Sequence, residues 1–300
     1  MTILLAPDQP AHGILAGEGI PVADPARFHG DALRIAVLNL MPTKVATEIQ
    51  LSRVLAGTGH AVHPVWFHPA SHRGHHTDAA HLDRFYQPAD RLADGRWDAL
   101  LVTGAPVETL PWEAVDYWDE LRRLLDHAAQ EIPASLFICW GAQAALQHYH
   151  GIGKRALPAK HSGVFRHHLH RPLAPLVLAH DDEFTVPVSR FTESDPLAIA
   201  TTPNLRVLAS SPETGHHLAW EATRRRTYLF NHPEYDQDTL DREYRRDLGR
   251  GLAIQAPRHY YTAPDEGGLP GQLPPVTWRA HAHLVYGNWV RSEIVHSVNT

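Results

Sequence analysis

Short apolar runs alternate with amphipathic stretches through the first half of the chain. Residues 33–40 form a nearly continuous aliphatic run that ends at Met41-Pro42, a pattern typical of a strand buried on both faces of a parallel sheet. Three later runs have the same character: 61–67, 97–103 and 135–138. We predict a strand at each of the four.

Between and after these runs lie stretches with apolar residues at helical spacing, at 46–55, 113–130 and 141–149. Strands that alternate with helices predict βαβ units, and therefore an α/β fold with a doubly wound, mostly parallel sheet. Ligands of such sheets bind outside the carboxyl ends of the strands. Candidate functional residues are therefore expected just after the apolar runs.

The rest of the chain is less regular. Residues 177–191 and 205–230 are predicted to form short strands, and 239–249 a helix, while the Pro- and Gly-rich residues 263–275 are predicted to form a surface loop. The ends are predicted to be an irregular leader, about 1–30, and a C-terminal extension, about 255–300. With no internal repeat or linker in between, 1–300 is expected to be a single domain.

Composition narrows the class of protein. An apolar fraction of 43% and a charged fraction of 20% are those of a soluble globular protein. The net charge of -6, without a basic stripe, argues against a nucleic-acid partner. No apolar run approaches the roughly 20 residues that span a bilayer, and Asp8 and Pro10 interrupt the short apolar start before a signal peptide could form. We expect no membrane partner and a cytoplasmic location.

The chain has 24 histidines, which is unusual, and they cluster loosely in two places. No cysteine partners these clusters, and no HExxH-type spacing places two ligands on one helical face. We therefore predict no metal site and expect the histidines in solvent-exposed loops. The clustered residues are His72, His75, His76 and His81, and then His167, His168 and His170.

The only cysteine, Cys139, lies between a predicted strand and a predicted helix. A sharp strand-to-helix turn of this kind is a nucleophile elbow, and the helix N-terminus favours the thiolate. The N–H of Trp140 can supply one oxyanion-hole donor, and the Gly104-Ala105 turn after a neighbouring strand can supply a second. The pattern favours a reactive thiol at the ligand-binding edge of the sheet.

A nucleophilic cysteine needs a base, and the base needs an acceptor that orients it. His232-Pro233-Glu234 follows another apolar run. In an extended chain, residues i and i+2 point the same way, so Glu234 can reach the imidazole of His232. We predict a catalytic triad of Cys139, His232 and Glu234.

The pattern Cys139-x-Gly141-x-Gln143 with a later His-Pro-Glu resembles class I glutamine amidotransferases. The resemblance is closer to the homoserine O-acyltransferases of methionine biosynthesis, which share that fold, a three-layer flavodoxin-like arrangement. It covers about residues 10 to 295. It rests on Val37-Leu38-Asn39-Leu40-Met41-Pro42, Val102-Thr103-Gly104-Ala105-Pro106-Val107-Glu108, Val115-Asp116-Tyr117-Trp118, Cys139-Trp140-Gly141-Ala142-Gln143-Ala144, Ser162-Gly163-Val164 and His232-Pro233-Glu234-Tyr235.

The resemblance implies a ping-pong reaction in which Cys139 takes an acyl group from acyl-CoA and passes it to the hydroxyl of an amino acid. It implies small-molecule substrates, no cofactor beyond the acyl-CoA substrate, and a homodimer. It also implies that Lys160, Ser189 and Arg246 contact substrate, with Arg246 pairing with the acceptor carboxylate.

Within the resembling family, glycine at the position of Glu108 accompanies succinyl-CoA, and glutamate accompanies acetyl-CoA. A carboxylate there would repel a succinyl carboxylate and fill its space, so we predict an acetyl donor, with succinyl-CoA as the alternative. The chain departs from the family pattern at Ala46, Val188 and the segment 278–282. L-homoserine is the predicted acceptor and L-serine, one methylene shorter, its rival. A glutaminase and a non-enzymatic regulatory module are the remaining alternatives.

Overall fold

The computed structural model describes residues 2–72, 78–261 and 272–295. Its strands are β1 Thr2–Leu4, β2 Val22–Ala23, β3 Leu33–Leu38, β4 Ala61–His68, β5 Tyr86–Pro88, β6 Ala99–Val102, β7 Ser135–Ile138, β8 Lys154–Leu169, β9 Glu183–Ser194, β10 Leu205–Ser211, β11 Gly215–Glu221 and β12 Arg226–Leu229. Its α-helices are α1 Pro10–Gly17, α2 Lys44–Ala56, α3 Ala79–Phe85, α4 Trp118–Glu131, α5 Trp140–His150, α6 Pro196–Thr201, α7 Thr239–Gly249 and α8 Arg279–Trp289.

All these strands join one mixed sheet, in the order β2-β1-β4-β3-β6-β7-β12-β11-β10-β8-β9, with β5 beside β4. Pairing is parallel from β2 through to β12 and antiparallel from there to β9. The predicted doubly wound, mostly parallel sheet is confirmed. The antiparallel part, from β12 to β9, is an addition that the sequence pattern did not predict.

Alternate residues of the central strands enter two separate cores. On β3, Ile35 and Val37 pack into one core with α2 and α8, whereas Ala36 and Leu38 pack into the other with α4 and α5. This alternation explains why the run is apolar throughout, since both faces of the strand are covered by helices. The three layers place the carboxyl ends of β3, β6, β7 and β12 at one edge of the sheet.

The leader is not irregular, so that prediction is wrong. β1 pairs with β4 and α1 packs on α2, and Gln9 donates a hydrogen bond of 2.8 Å to the buried carboxylate of Glu48. The Pro and Gly residues were misleading because Pro10 stands at the first position of a helix, where its missing N–H costs nothing. A three-residue strand is also too short to give a pattern.

Two predictions further along the chain are corrected as well. The expected helix 113–130 begins only at Trp118, because Val115 is extended and enters the core instead of continuing the preceding 3₁₀ turn. The strand expected at 177–191 is present as β9, but it begins at Glu183 and extends to Ser194, and it forms a long hairpin with β8, which was not predicted. β8 was missed because it is rich in charged residues and half-exposed, as one-sided antiparallel strands often are.

The C-terminal extension is also partly regular. α8 continues into a π-helical turn, Val290–Ile294, and buries Tyr286 and Trp289 completely against the core that contains α2. Most of the predicted loop 263–275 lies outside the described residues. Within the described part of the chain, no helix is long and apolar enough to cross a membrane.

The histidines do not all lie in exposed loops. His168 and His170 are exposed, but His167 is fully buried in β8, and His81 lies 2.7 Å from the carboxylate of Glu48. His75 and His76 lie outside the described residues. Part of the unusual histidine content is therefore packed inside the fold and does not lie in exposed loops.

Candidate active site

Cys139 lies at the point where β7 ends and α5 begins. Its backbone has φ 51° and ψ -117°, a conformation that costs a non-glycine residue about 1–3 kcal/mol. Such strain persists where the surrounding fold imposes it, here because β7 and α5 are both buried and fixed in direction. The predicted elbow is present, with the thiol at a helix N-terminus and 7% of the residue exposed.

Two glycines allow the elbow to form. A Cβ on Gly141 would lie 2.6 Å from the carbonyl oxygen of Thr103, so α5 can approach the end of β6 only without a side chain there. A Cβ on Gly104 would lie 3.2 Å from Cβ of Cys139 and 3.5 Å from Cε1 of His232. The space over Gly104 is therefore bordered by both Cys139 and the imidazole of His232.

His232 and Glu234 follow β12, the strand next to β7. Nδ1 of His232 lies 2.7 Å from Oε1 of Glu234, and both side chains are almost fully buried. Burial opposes protonation, but the negative charges of Cys139 and Glu234 and their hydrogen bonds outweigh it and raise the pKa of His232 well above its ordinary value. The arrangement favours an imidazolium beside the sulfur.

A cavity of about 330 Å³ opens over these residues. Cys139, His232 and Tyr235 belong to its buried inner wall, whereas Pro106, Arg250 and Leu252 are exposed and define its mouth. Every substrate-contact residue expected from the sequence lines this cavity: Glu108, Lys160, Ser189 and Arg246. The structure therefore brings the predicted set together.

Lys160 and Arg246 share one carboxylate. Nζ of Lys160 lies 2.8 Å from Oδ2 of Asp247, and Nε of Arg246 lies 2.9 Å from Oδ1 of the same residue. Burial disfavours the ionised form of Asp247, yet the bonds and charges of Lys160 and Arg246 lower its pKa below the ordinary value. Asp247, which the sequence analysis did not single out, thus fixes both cations at the cavity wall.

Ser189 binds Glu243, a residue that sequence reasoning missed. Its Oγ donates to Oε2 of Glu243 at 2.6 Å, and the hydroxyl of Tyr235 donates to Oε1 of the same carboxylate at 2.9 Å. Glu243 lines the cavity together with Arg246. The signal was available, because residues three apart on α7 lie on the same helical face.

Glu108 is held by strand β9. Its Oε2 accepts bonds from the N–H of Phe191 at 2.9 Å and from the N–H and hydroxyl of Thr192, both at 3.0 Å. Burial raises the pKa of Glu108 even though these donors oppose the shift. The carboxylate therefore occupies a preformed anion site inside the cavity.

The proposed oxyanion-hole residues flank the thiol. Trp140 is the first residue of α5, where backbone N–H groups have no partner within the helix. Ala105 is buried, follows Gly104 and lines the same cavity. Both residues lie at the carboxyl edge of the sheet, Trp140 at the start of α5 and Ala105 in the turn after β6, on the side where an oxyanion on a Cys139 adduct would develop.

A buried polar network lies behind the base. The amide nitrogen of Asn231 lies 3.1 Å from Nε2 of His167 and 3.4 Å from Nδ1 of His217, and its oxygen accepts a bond of 2.9 Å from Arg190. Nδ1 of His167 in turn lies 3.0 Å from the carbonyl oxygen of Phe165. Both the nitrogen and the oxygen of the Asn231 amide are thereby hydrogen-bonded, which fixes the residue just before His232.

A metal ion has no evident place here. Across residues 2–72, 78–261 and 272–295, no group of three or more His, Cys, Asp or Glu side chains could hold one.

Comparison with known proteins identifies the family. The family model for homoserine O-succinyltransferase matches residues 2–299. A homoserine O-acetyltransferase from Synechococcus sp. is 54% identical over 297 residues, 98% of each chain, and one from Desulfovibrio desulfuricans is 43% identical over 97% of this chain and 92% of its own. A glutamine amidotransferase structure from Thermotoga maritima shares the fold, with a TM-score of 0.55 at 12% identity over 91% of this chain and 100% of that one. This chain belongs to the homoserine O-succinyltransferase family, as its motifs predicted.

Proposed function

We propose that this protein transfers an acetyl group from acetyl-CoA to the hydroxyl of L-homoserine through a thioester on Cys139. The observation that carries the proposal is the buried Cys139–His232–Glu234 arrangement at the inner end of a cavity that also holds Glu243, Arg246 and Glu108. The names of the relatives support the same reaction.

In the first half-reaction, the thiolate of Cys139 attacks the carbonyl carbon of acetyl-CoA. The resulting oxyanion accepts hydrogen bonds from the N–H groups of Trp140 and Ala105. As the intermediate collapses, the carbon–sulfur bond to CoA breaks, and the leaving thiolate takes the proton of the His232 imidazolium. The products are acetyl-Cys139, free CoA and neutral His232.

In the second half-reaction, neutral His232 takes the proton of the acceptor hydroxyl while its oxygen attacks the thioester. Collapse of the second intermediate releases the O-acetyl product and restores the Cys139 thiolate beside an imidazolium. Glu234 holds the ring and stabilises its positive charge in both halves. The raised pKa of His232 suits this cycle, because the resting enzyme then carries the proton that the first leaving group needs.

Two groups on α7 are suited to bind an amino-acid acceptor. Glu243, held by Ser189 and Tyr235, presents a carboxylate to the acceptor ammonium, and Arg246, held by Asp247, presents a guanidinium to its carboxylate. A zwitterion bound by both would point its side chain into the cavity. This complementarity favours an amino-acid acceptor over water.

Acetyl-CoA binds partly inside the cavity and partly at its mouth. An acetyl group fits beside Glu108, whereas a cavity of about 330 Å³ cannot enclose all of CoA. The mouth carries Arg250, which is exposed and forms no ion pair with any described residue, next to the exposed Leu252. We assign the CoA phosphates to Arg250 and the neighbouring pantetheine chain to Leu252.

The experiment is a comparison of acetyl- and succinyl-CoA with L-homoserine, L-serine and L-glutamine. We expect O-acetylhomoserine as the preferred product, and exchange of labelled CoA into acetyl-CoA when no acceptor is present. Cys139→Ser should abolish both. Acetyl transfer without any donor–CoA exchange would exclude the ping-pong route, and ammonia release from glutamine alone would favour a glutaminase.

A further inference from the structure

The turn that carries Glu108 is fastened to the hairpin β8–β9 at two points. One is the carboxylate, which Phe191 and Thr192 of β9 hold. The other is the backbone, because Nζ of Lys154, the first residue of β8, donates to the carbonyl oxygen of Glu108 at 2.6 Å and to that of Leu110 at 2.7 Å. Lys154 thereby restrains the backbone of Glu108, the residue whose carboxylate lies in the acyl pocket.

Aromatic contacts complete this attachment. The ammonium of Lys154 lies 4.3 Å from the ring centroid of Trp112, at the end of the same turn. Trp112 stacks on Trp118 at 4.8 Å and contacts Trp140, the residue after the nucleophile, at 5.8 Å. One half-buried lysine thus joins the Glu108 turn to the tryptophan cluster, which includes Trp140 at the start of α5, directly after Cys139.

The position of the Glu108 carboxylate depends on both attachments. If the backbone of the turn were free, the side chain could leave the donors of Phe191 and Thr192. Those donors would then be open to the terminal carboxylate of a longer, charged acyl group. A restrained turn keeps the site filled, and the site accepts an acetyl group but not a second carboxylate.

We propose that Lys154 is a positioning residue for donor selectivity: it holds the Glu108 turn against β8 and so keeps the Glu108 carboxylate in the acyl pocket. The proposal rests on the proposed function, since it concerns which acyl-CoA reaches Cys139. Lys154 does not line the cavity, so it acts through Glu108 and not on the substrate.

The test is the ratio of kcat/KM for acetyl-CoA to kcat/KM for succinyl-CoA. Lys154→Met should lower this ratio roughly tenfold, the size of effect that one pocket contact typically has. Arg155→Met is the matched control, because Arg155 is the next residue along β8, is exposed and pairs with Glu193 at 2.8 Å. The ratio should be unchanged in that control, and thermal unfolding of all variants should be followed alongside.

A double variant tests whether Lys154 acts through Glu108. In a Glu108→Gly background, Lys154→Met should change the ratio no further, because the carboxylate it positions is gone. An equal fall of the ratio in both backgrounds, or a parallel loss of turnover with both donors that leaves the ratio unchanged, would overturn the proposal.

If Lys154→Met does not fold, Lys154→Gln carries the same test, since it removes the charge but keeps an NH2 group on a side chain of similar length. It should lower the ratio less than the methionine variant and again only in the presence of Glu108. Failure of the proposed function would be visible separately, as absence of acetyl transfer by the parent enzyme, and would take this inference with it.

Discussion

The imidazole of His232 lies flat against the phenol ring of Tyr235, with ring centroids 4.1 Å apart and planes 16° apart. The hydroxyl of the same tyrosine donates to Glu243 at 2.9 Å. One buried side chain therefore touches both the base and the carboxylate proposed to bind the acceptor ammonium. The geometry couples the position of the base to the position of the acceptor.

Tyr235→Phe keeps the stacking on His232 and removes the bond to Glu243. A hydrogen bond to a charged group contributes about 1.5–3 kcal/mol, so we expect kcat/KM for L-homoserine to fall about 10- to 100-fold. The rate of CoA release in the first half-reaction should stay within about twofold. Rapid mixing with acetyl-CoA alone measures that rate. A slower first half-reaction with an unchanged acceptor KM would contradict the assignment of Glu243.

Glu108→Gly removes the carboxylate from the anion site formed by Phe191 and Thr192. The freed N–H groups and hydroxyl can then bind a succinyl carboxylate, so kcat/KM for succinyl-CoA should rise at least about tenfold relative to acetyl-CoA. Glu108→Gln separates charge from size, and should give a smaller change because the amide still fills the site. Equal donor ratios in the parent and the glycine variant would show that this residue does not select the acyl group.

Arg250→Gln should weaken recognition of the CoA phosphates while leaving the acetyl pocket intact. We expect kcat/KM for acetyl-CoA to fall about tenfold, and kcat/KM for a short acetyl thioester that lacks the phosphates to stay within about twofold. Arg245→Gln is the control, since Arg245 is exposed on α7, the helix that ends just before Arg250, but pairs with Asp241 at 2.7 Å. If kcat/KM fell to a similar extent for acetyl-CoA and for the short thioester, Arg250 would not be a phosphate-binding residue.

Buried neutral histidines should make the fold sensitive to acid. Burial lowers the pKa of His167 to about 4 and that of His217 well below its ordinary value. Nε2 of His167 accepts from the Asn231 amide, so a proton there would face another donor. Between pH 6.5 and about 4, the unfolded chain binds protons on these residues and the folded chain does not, so the free energy of unfolding falls as pH falls through that window.

The loss is about 2 kcal/mol for one such histidine at pH 5, relative to pH 8. His232, whose pKa is raised, works in the opposite direction and offsets part of it. Urea unfolding at several pH values measures the total. His167→Gln should flatten the acid limb, and His168→Gln, at an exposed neighbour, should not. A free energy of unfolding that is level from pH 8 to pH 5 would contradict the neutral network.

The central strands and the elbow could be predicted from sequence because each rests on a local rule. Residues 136–138 are all apolar since both faces of β7 are covered, and a cysteine directly after them is placed at the carboxyl edge by the topology alone. The i, i+2 relation of His232 and Glu234 is local as well, and their bond of 2.7 Å follows it.

What could not be predicted depends on contacts between distant segments. The polar strand β8 is a strand because β9 and β10 pair with it, and nothing in its own pattern shows that. Asp247 and Glu243 acquire their places from Lys160 and Ser189, which lie 87 and 54 residues away in the chain. Only the resemblance to the family pointed to Lys160, Ser189 and Arg246. The pattern of residue types and spacing gave no reason to choose them.

The most direct test of the account is the mass of the protein after mixing with acetyl-CoA in the absence of any acceptor. We expect one added acetyl group per chain, located on the peptide that contains Cys139, absent in Cys139→Ser and released when L-homoserine is added. If product accumulates while no adduct on Cys139 can be trapped, even in a variant such as Glu243→Gln that should slow the second half-reaction, the thioester mechanism is contradicted.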